Sequence, residues 1–153
     1  MTSGDAGAFN GAKAAVFIGT RLLCLLRDDT PGLRWAGYWD FPGGGREGDE
    51  TPRRTLAREM EEEVGLDAGD AEELWHWSGP SVDFPGTVSW FFVLRLAAGA
   101  ERAILMGDEG AAWALLPQDR VLAMPDVVPS MRDRLGLWRR SCGAVPGLRA
   151  TGL

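Results

Sequence analysis

Several residue types are nearly absent from this chain of 153 residues, and each scarcity narrows its possible functions. The two cysteines, Cys24 and Cys142, lie far apart, so we expect core or free thiols and neither a disulfide framework nor a cysteine-bound metal. No apolar run approaches the ~20 residues that span a bilayer, and the first residues lack the charged and then apolar order of a signal peptide. These features predict a cytoplasmic protein that does not associate with a membrane.

Basic residues are also few, with 16 Lys and Arg against 22 Asp and Glu, which gives a net charge of −6. Lys13 is the single lysine, and Asn10 is the single asparagine. An acidic chain lacks a general surface for a nucleic-acid polymer, although bound divalent metal still allows it to bind a polyanion. An apolar fraction of 45% suffices for the core of one domain over residues 1–153. Residues 1–11 and 143–153 are expected to be loose termini, and no pattern fixes an oligomeric state.

Short β-favouring runs alternate with glycine and proline turns over most of the chain. Two such runs, at residues 14–18 and 21–27, flank Gly19-Thr20 and therefore predict a hairpin. Further strands are predicted at residues 38–41, 74–78, 87–96 and 112–116, and a late helix at residues 126–140.

The clearest predicted element is a helix over residues 53–64. Thr51 is a favourable N-cap, Pro52 suits the first helical position, and Gly65 stands where a left-handed cap ends a helix. Residues 57, 60 and 64 share one apolar face, which we expect to pack on a sheet.

Three carboxylates of this helix lie on one stripe. Glu59, Glu62 and Glu63 are spaced i, i+3 and i+4, so they repel one another unless cations lie between them. Their hard oxygen atoms suit Mg²⁺ or Mn²⁺. Arg58 lies at the edge of the stripe, where it can hold a glutamate in position. A tight glycine turn at residues 43–45 lets backbone carbonyls approach the same metal, because no side chain intervenes.

Residues 44–66 combine these features in one fixed spacing: Gly, five residues, Glu, seven residues, and then Arg-Glu-Met-Glu-Glu-Glu-Val-Gly-Leu. The segment resembles a complete Nudix box, with Met60 and Leu66 at its bulky aliphatic positions, and residues 41–44 resemble the usual lead-in. The resemblance to the Nudix hydrolase family implies an α/β fold, namely an α/β/α sandwich around a central mixed β-sheet with a catalytic loop and helix. It also implies metal-dependent hydrolysis of a nucleoside diphosphate linked to another group.

The resemblance further implies roles for the box residues. Glu59 would either bind metal or act as the general base, with Arg58 orienting its carboxylate, while Glu50 and Gly44 would support the geometry of loop and helix. The metal would be Mg²⁺, with Mn²⁺ as the alternative. The implied metal ligands are Glu59, Glu62, Glu63 and the carbonyl of Gly43.

Positions outside the box match other places where family members carry functional residues. A later loop often supplies a further glutamate, which corresponds here to Glu109; it is favoured over Asp108 because Glu-Gly before an apolar strand is the commoner form. Arg27 ends the second predicted strand, where related enzymes often place a phosphate-binding arginine, and its forked donors suit that task. A solvated strand-end role for Arg27 is nearly as well supported, and Arg34 is a weaker candidate of the same kind.

The chain's compact length resembles that of MutT-like nucleoside triphosphate pyrophosphohydrolases, which release a nucleoside monophosphate and pyrophosphate. Guanine-selective members read the base with a late asparagine, whereas this chain has Asp119 or Asp126 in that region, and a carboxylate accepts a different set of hydrogen bonds. The expected partner is a small-molecule nucleotide, with its base left open. Pro80 lies near the place of a proline typical of ADP-ribose hydrolases. An ADP-ribose or other nucleoside-diphosphate pyrophosphatase is therefore one alternative, and a non-catalytic nucleotide-sensing module is another.

Overall fold

The computed structural model describes residues 7–141, in which seven strands form one mixed sheet with helices on both faces. The helices are α1 (Pro52–Val64), α2 (Gln118–Ala123) and α3 (Pro129–Ser141), and short 3₁₀ turns cover Ala68–Asp70 and Ala100–Ala103. The strands are β1 (Gly11–Ile18), β2 (Arg21–Leu26), β3 (Trp39–Asp40), β4 (Gly43–Gly45), β5 (Glu72–Pro80), β6 (Val88–Leu96) and β7 (Ala112–Leu116).

The strand order is β3-β2-β1-β6-β5, with β4 beside β1 and β7 beside β2. β1 and β6 run parallel, with Gly11 opposite Ser89, and the other pairs are antiparallel. The predicted hairpin is confirmed, because Ile18 pairs with Arg21 around the Gly19-Thr20 turn. β4 lies against the first residues of β1, while β2 lies against its last. The glycine turn is therefore held at the start of the central strand.

The sheet is the middle of three layers. Side chains alternate along β1, so its even-numbered residues reach one face and its odd-numbered residues the other. The first core joins Ala14, Val16 and Ile18 to Leu56, Met60 and Val64 of α1. The second core joins Ala15 and Phe17 to Met131, Leu135 and Trp138 of α3. This arrangement confirms the predicted α/β/α sandwich.

Helix α1 has the capping groups that its sequence predicts. The Thr51 hydroxyl accepts a hydrogen bond from the Arg54 amide at 3.2 Å. Gly65 adopts a φ of 71°, and its amide donates to the Glu61 carbonyl. These two caps fix where the carboxylate stripe begins and ends relative to the glycine turn.

The start of the chain departs from the prediction of a loose segment over residues 1–11. Phe9 is buried beneath the Arg46 guanidinium, whose carbon lies 4.2 Å from the ring centroid, and Gly11 already belongs to β1. The prediction is therefore wrong for residues 9–11. Residues 1–6 and 142–153 lie outside the described part of the chain, and with them Cys142 and the predicted loose C-terminus.

The end of the described chain differs as well. Helix α2 is not predicted from the sequence, and α3 begins at Pro129 instead of residue 126. The backbone before a proline avoids the helical region. Residues 126–128 are extended instead of helical, because they pair with β3: the Trp39 amide donates to the Asp126 carbonyl, and the Val128 amide donates to the Trp39 carbonyl.

Cys24 is a free thiol in the core, as expected, and burial raises its pKa to about 12. Within residues 7–141, none of the helices combines the length and the apolarity needed to cross a bilayer.

Candidate functional site

The glycine turn is packed so closely that side chains are excluded at two positions. Gly43 has a φ of 128°, and a Cβ there would overlap the backbone of Ala12 and Lys13. A Cβ on Gly44 would lie 2.5 Å from the Glu59 carboxylate carbon. The turn therefore brings its backbone directly against the carboxylate stripe of α1.

Glu63 reaches the same turn from one helical turn further along α1. Its Oε1 accepts a hydrogen bond from the Gly43 amide at 3.0 Å. Burial raises the pKa of Glu63 to about 7, against the lowering effect of Lys13 and of the Gly43 amide, while the Glu59 and Asp40 carboxylates raise it further. A cation at this position would favour the charged form of Glu63.

Arg58 joins the glycine turn to α1. Its Nη2 donates to the Gly45 carbonyl at 2.7 Å, and its Nη1 lies 3.1 Å from a Glu59 oxygen and 3.2 Å from a Glu62 oxygen. Its Nε donates to Glu50 Oε2 at 2.8 Å. The guanidinium thus orients Glu59, as the sequence predicts, and also holds Glu62.

Glu50 ties the loop to the first turn of the helix. Its Oε1 accepts hydrogen bonds from the Glu47 amide at 2.9 Å and the Thr55 hydroxyl at 3.0 Å. These contacts and above all the Arg58 hydrogen bond hold the pKa of Glu50 at about 2. Glu50 is therefore an ionised support of the loop, which agrees with its expected role.

The donors in this region suit a hard divalent cation. Glu59 and Glu63 both reach the Gly43-Gly44 backbone, and the Glu63 carboxylate is largely buried with other carboxylates nearby. Among residues 7–141, however, no three acidic, histidine or cysteine side chains converge on one point. Arg58 holds Glu59 and Glu62, and the Gly43 amide holds Glu63, so these side chains must turn for all three to share a cation.

Asp40 and Lys13 belong to this region but are not singled out by the sequence analysis. Asp40 is buried, and its Oδ2 lies 3.2 Å from both Lys13 Nζ and Arg27 Nη1. Lys13 Nζ also donates to the Gly43 carbonyl at 3.3 Å. The sequence offers one signal for the role of Lys13, namely that the only lysine of the chain stands in an apolar strand. It did not reveal the contact, because the strand register that brings Lys13 beside Gly43 is not encoded locally.

Two cavities meet at the Arg27–Asp40 ion pair, which lines both. The smaller has a volume of about 270 Å³ and is lined by Glu63 and Glu109 among others. Asp108 is not one of its lining residues. The structure therefore brings Glu109, Arg27 and Glu63 to one cavity.

The larger cavity has a volume of about 490 Å³ and lies on the α3 side of the sheet. Its wall carries Lys13, Arg27 and Arg34, which are ion-paired with Asp40 and Asp83 of the same wall. Exposed apolar side chains, Val82 and Phe84, form part of its rim. The cavity is large enough for a nucleoside-sized ligand.

The structure does not bring the two candidate base-reading aspartates to these cavities. Asp126 is exposed and lines neither cavity, and its carbonyl accepts the Trp39 amide. Asp119 forms an ion pair with Arg139 on α3. Extended backbone before Pro129 places residue 126 at the strand edge, whereas helical backbone was expected there.

Comparison with known proteins agrees with this geometry. The family model of the NUDIX domain matches residues 11–135. An 8-oxo-dGTP diphosphatase of Proteus vulgaris is 42% identical over 60 residues, which cover 37% of this chain and 51% of that protein. An RNA pyrophosphohydrolase of Saccharophagus degradans is 45% identical over 56 residues, 33% of each chain. This chain thus spans about half or less of the length of these curated relatives.

Among solved structures, a MutT protein from Methanosarcina mazei Go1 superposes with a TM-score of 0.67 at 19% identity, covering 89% of this chain and 96% of the other. At that identity the likeness concerns the fold alone. The family model, by contrast, spans most of the chain and includes the glycine turn, the carboxylate helix and Glu109. The chain belongs to the NUDIX domain family.

Proposed function

We propose that this chain hydrolyses a phosphoanhydride bond in a nucleoside diphosphate linked to another group. The favoured substrate is a nucleoside triphosphate, which would give a nucleoside monophosphate and pyrophosphate in a reaction that depends on Mg²⁺, with Mn²⁺ as an alternative. One observation carries the proposal. The Glu63 carboxylate of α1 lies on the Gly43 amide beside a cavity wall that bears Arg27 and Lys13.

The residues divide into an acidic and a basic group. Glu59, Glu62 and Glu63, with the Gly43 carbonyl, would hold the metal, which when bound lowers the pKa of water and offsets phosphate charge. Arg58 keeps Glu59 at the turn, and Glu50 keeps Arg58 in place. Glu59 or Glu109 would accept the proton of the attacking water.

The basic group favours attack at an internal phosphorus. Arg27 lines both cavities, so a phosphate that it binds lies between the carboxylates and the larger cavity. If Arg27 binds the phosphate nearest the nucleoside, with the nucleoside in the larger cavity, water activated at the acidic group faces an internal phosphorus. Attack at the terminal phosphorus would place the nucleoside further from the acidic group and leave that cavity empty.

The test is a panel of nucleoside triphosphates, ADP-ribose and a dinucleoside polyphosphate, incubated with Mg²⁺ or Mn²⁺ in ¹⁸O-labelled water. We expect monophosphate and pyrophosphate, with the label in one of them. Label found only in orthophosphate released directly from the triphosphate would refute internal attack. Nucleotide binding without any turnover would favour the alternative of a non-catalytic sensing module.

Relatives named RNA pyrophosphohydrolase motivate one further substrate for the panel. An RNA oligonucleotide with a 5′-triphosphate presents the same phosphoanhydride bonds as a free nucleotide. The net charge of −6 disfavours a long RNA contact, so we expect faster turnover of free triphosphates. Faster release of pyrophosphate from the RNA would reassign the substrate while leaving the chemistry unchanged.

A further inference from the structure

Arg134 is a buried cation that the proposed chemistry does not use. Only 7% of its surface is exposed, and it lines the larger cavity. Its Nη2 donates to the Ser89 hydroxyl at 2.9 Å, and its guanidinium carbon lies 5.2 Å from the Trp77 ring centroid. None of the ion pairs found among residues 7–141 includes Arg134. The Asp83 and Asp133 carboxylates favour its charge from a longer range, but neither forms an ion pair with it, and Asp83 is paired with Arg34. Arginine is seldom buried without a carboxylate in direct contact, because the loss of hydration is costly.

Most donors of this guanidinium remain free for a ligand. Arginine has five N–H donors in a planar fork, and the structure pairs Nη2 with Ser89. Within residues 7–141, the other guanidinium nitrogens of Arg134 form no hydrogen bond. They are not fully buried either, since the buried polar atoms without a partner do not include them. They are therefore open to the cavity.

An unpaired acceptor lies near the same end of the cavity. The Asn10 side-chain oxygen is fully buried without a hydrogen-bond partner, and Asn10 lines the larger cavity. The Asn10 backbone amide donates to the Val88 carbonyl at 2.8 Å, and Gly11 pairs with Ser89. Asn10 therefore lies next to Ser89, whose hydroxyl accepts the Arg134 hydrogen bond. The Asn10 oxygen itself is inaccessible from the cavity, so the Arg134 guanidinium is the polar group that this end offers to a ligand.

This end is separate from the part of the cavity proposed to bind phosphate. Gly11 lies between Gly45 of the glycine turn on β4 and Ser89 on β6, so Ser89 is two strand spacings, about 10 Å, from the turn. Lys13 and Arg27 are committed to Asp40 beside the glycine turn, whereas Arg134 lies against Trp77 and near Met131. A triphosphate held at the glycine turn therefore directs its base, and not its phosphates, toward Arg134.

Resting on the proposed function, we propose that Arg134 is a specificity-determining residue that selects guanine. The guanidinium fork would donate to O6 and N7 of the base, a pairing that two adjacent acceptors on guanine permit. Adenine has an amino donor in place of O6, so it would place a donor against the guanidinium.

The same contact disfavours oxidised guanine. An 8-oxoguanine base carries a hydrogen on N7, which turns that acceptor into a donor facing the fork. We therefore expect this chain to prefer dGTP over 8-oxo-dGTP, unlike the activity named for its Proteus vulgaris relative.

The first test uses the unmodified protein. We expect kcat/KM for dGTP to exceed that for dATP by about 5- to 150-fold, the factor that 1–3 kcal/mol of base discrimination gives. Substitution of N7 by carbon in 7-deaza-dGTP should remove about tenfold of this preference. Equal values for dGTP and 7-deaza-dGTP, or a preference for dCTP or 8-oxo-dGTP, would overturn the assignment.

Binding without metal separates this inference from the proposed function. Dissociation constants for dGMP and dAMP, measured by calorimetry in the presence of a chelator, require no turnover. A preference for dGMP in a protein that hydrolyses nothing would refute the hydrolase proposal and retain the role of Arg134. Equal affinity for the two monophosphates would refute the role of Arg134 whether or not triphosphates are cleaved.

The second test compares Arg134→Gln with Arg140→Gln, a change of the same type at an exposed position of α3. Arg134→Gln should bring the dGTP to dATP ratio close to one, mainly through KM, while Arg140→Gln keeps it. An equal loss for every nucleotide would mean that Arg134 binds phosphate and would overturn the proposal. If Arg134→Gln does not give a native circular dichroism spectrum, the 7-deaza-dGTP comparison decides.

Discussion

Two adjacent glycines at the site are required for different reasons. Gly43 faces backbone atoms of β1, which cannot move without loss of strand pairing, whereas Gly44 faces the end of the Glu59 side chain, which can rotate. A side chain at residue 43 would therefore disturb the fold, whereas a side chain at residue 44 would displace Glu59, a candidate metal ligand.

Alanine substitutions should separate these two effects. We expect Gly43→Ala to lower the free energy of unfolding by about 3 kcal/mol or more, through overlap and a positive φ. Gly44→Ala should cost less stability but reduce turnover, because Glu59 must leave the turn. Gly48→Ala is the matched control: its φ is 56°, and no atom lies within 4 Å of an added Cβ. It should cost about 1 kcal/mol. Equal stabilities for the three variants in urea titrations would contradict this reading of the packing.

Glu50 gives a prediction about acid sensitivity. Its folded pKa of about 2 is below its usual value of 4.5, so its ionised form stabilises the folded state above pH 4.5. That contribution is lost as the pH falls from about 4.5 toward 2. Glu50→Gln should therefore lower the free energy of unfolding at pH 7 by about 1–2 kcal/mol and by much less at pH 3.

The measurement is urea unfolding of wild-type and variant proteins at both pH values. Asp49→Asn removes a neighbouring carboxylate whose side chain is exposed, so its effect should be small at either pH. A deficit for Glu50→Gln that is as large at pH 3 as at pH 7 would show that Glu50 acts by packing and not by charge.

At the scale of the element, α1 has an apolar face and, beside it, an acidic stripe. Leu56, Met60 and Val64 are fully buried against the sheet, while Glu59 and Glu63 face the glycine turn. A change confined to the acidic side should thus affect turnover and leave the packing intact.

Glu63→Gln tests that separation. The amide keeps the size of the side chain and can still accept the Gly43 hydrogen bond, but it removes an anionic ligand and a buried charge. We expect turnover with Mg²⁺ to fall by several orders of magnitude, with no loss of melting temperature in the metal-free protein. Glu61→Gln, exposed on the same helix, should retain turnover. Full activity of Glu63→Gln would mean that the metal site lies elsewhere.

Elements with local signals could be predicted from the sequence, and those set by distant contacts could not. Thr51, Pro52 and Gly65 mark the limits of α1, and the Gly19-Thr20 turn marks the hairpin. The positions of Lys13 at the Gly43 carbonyl and of Arg134 at Ser89 depend on which strands become neighbours. The candidate site was therefore predictable where the box motif is contiguous, but the cavity proposed to bind the nucleoside was not.

At the scale of the whole molecule, the two cores lie on the faces of the sheet and the candidate site lies at the start of its central strand. The described cores consist of apolar side chains from the sheet and from all three helices. The candidate ligands contribute little to either core. The chain should therefore fold without metal, in contrast to small domains that fold only around their ion.

Chelation should consequently abolish turnover and leave the fold in place. A metal that binds the folded chain alone adds stability, because it relieves repulsion around Glu63 and binds no comparable site in the unfolded chain. At a free concentration 100 times its dissociation constant, Mg²⁺ would add about 2.7 kcal/mol, which corresponds to a rise of roughly 5–10 °C in melting temperature for a domain of this size. Circular dichroism melts with a chelator and with increasing Mg²⁺ measure both effects, with Glu63→Gln as the variant in which the rise should shrink. Unfolding on chelation alone would make the metal a structural part of the protein, and an equal rise for Glu63→Gln would place the ion away from the glycine turn.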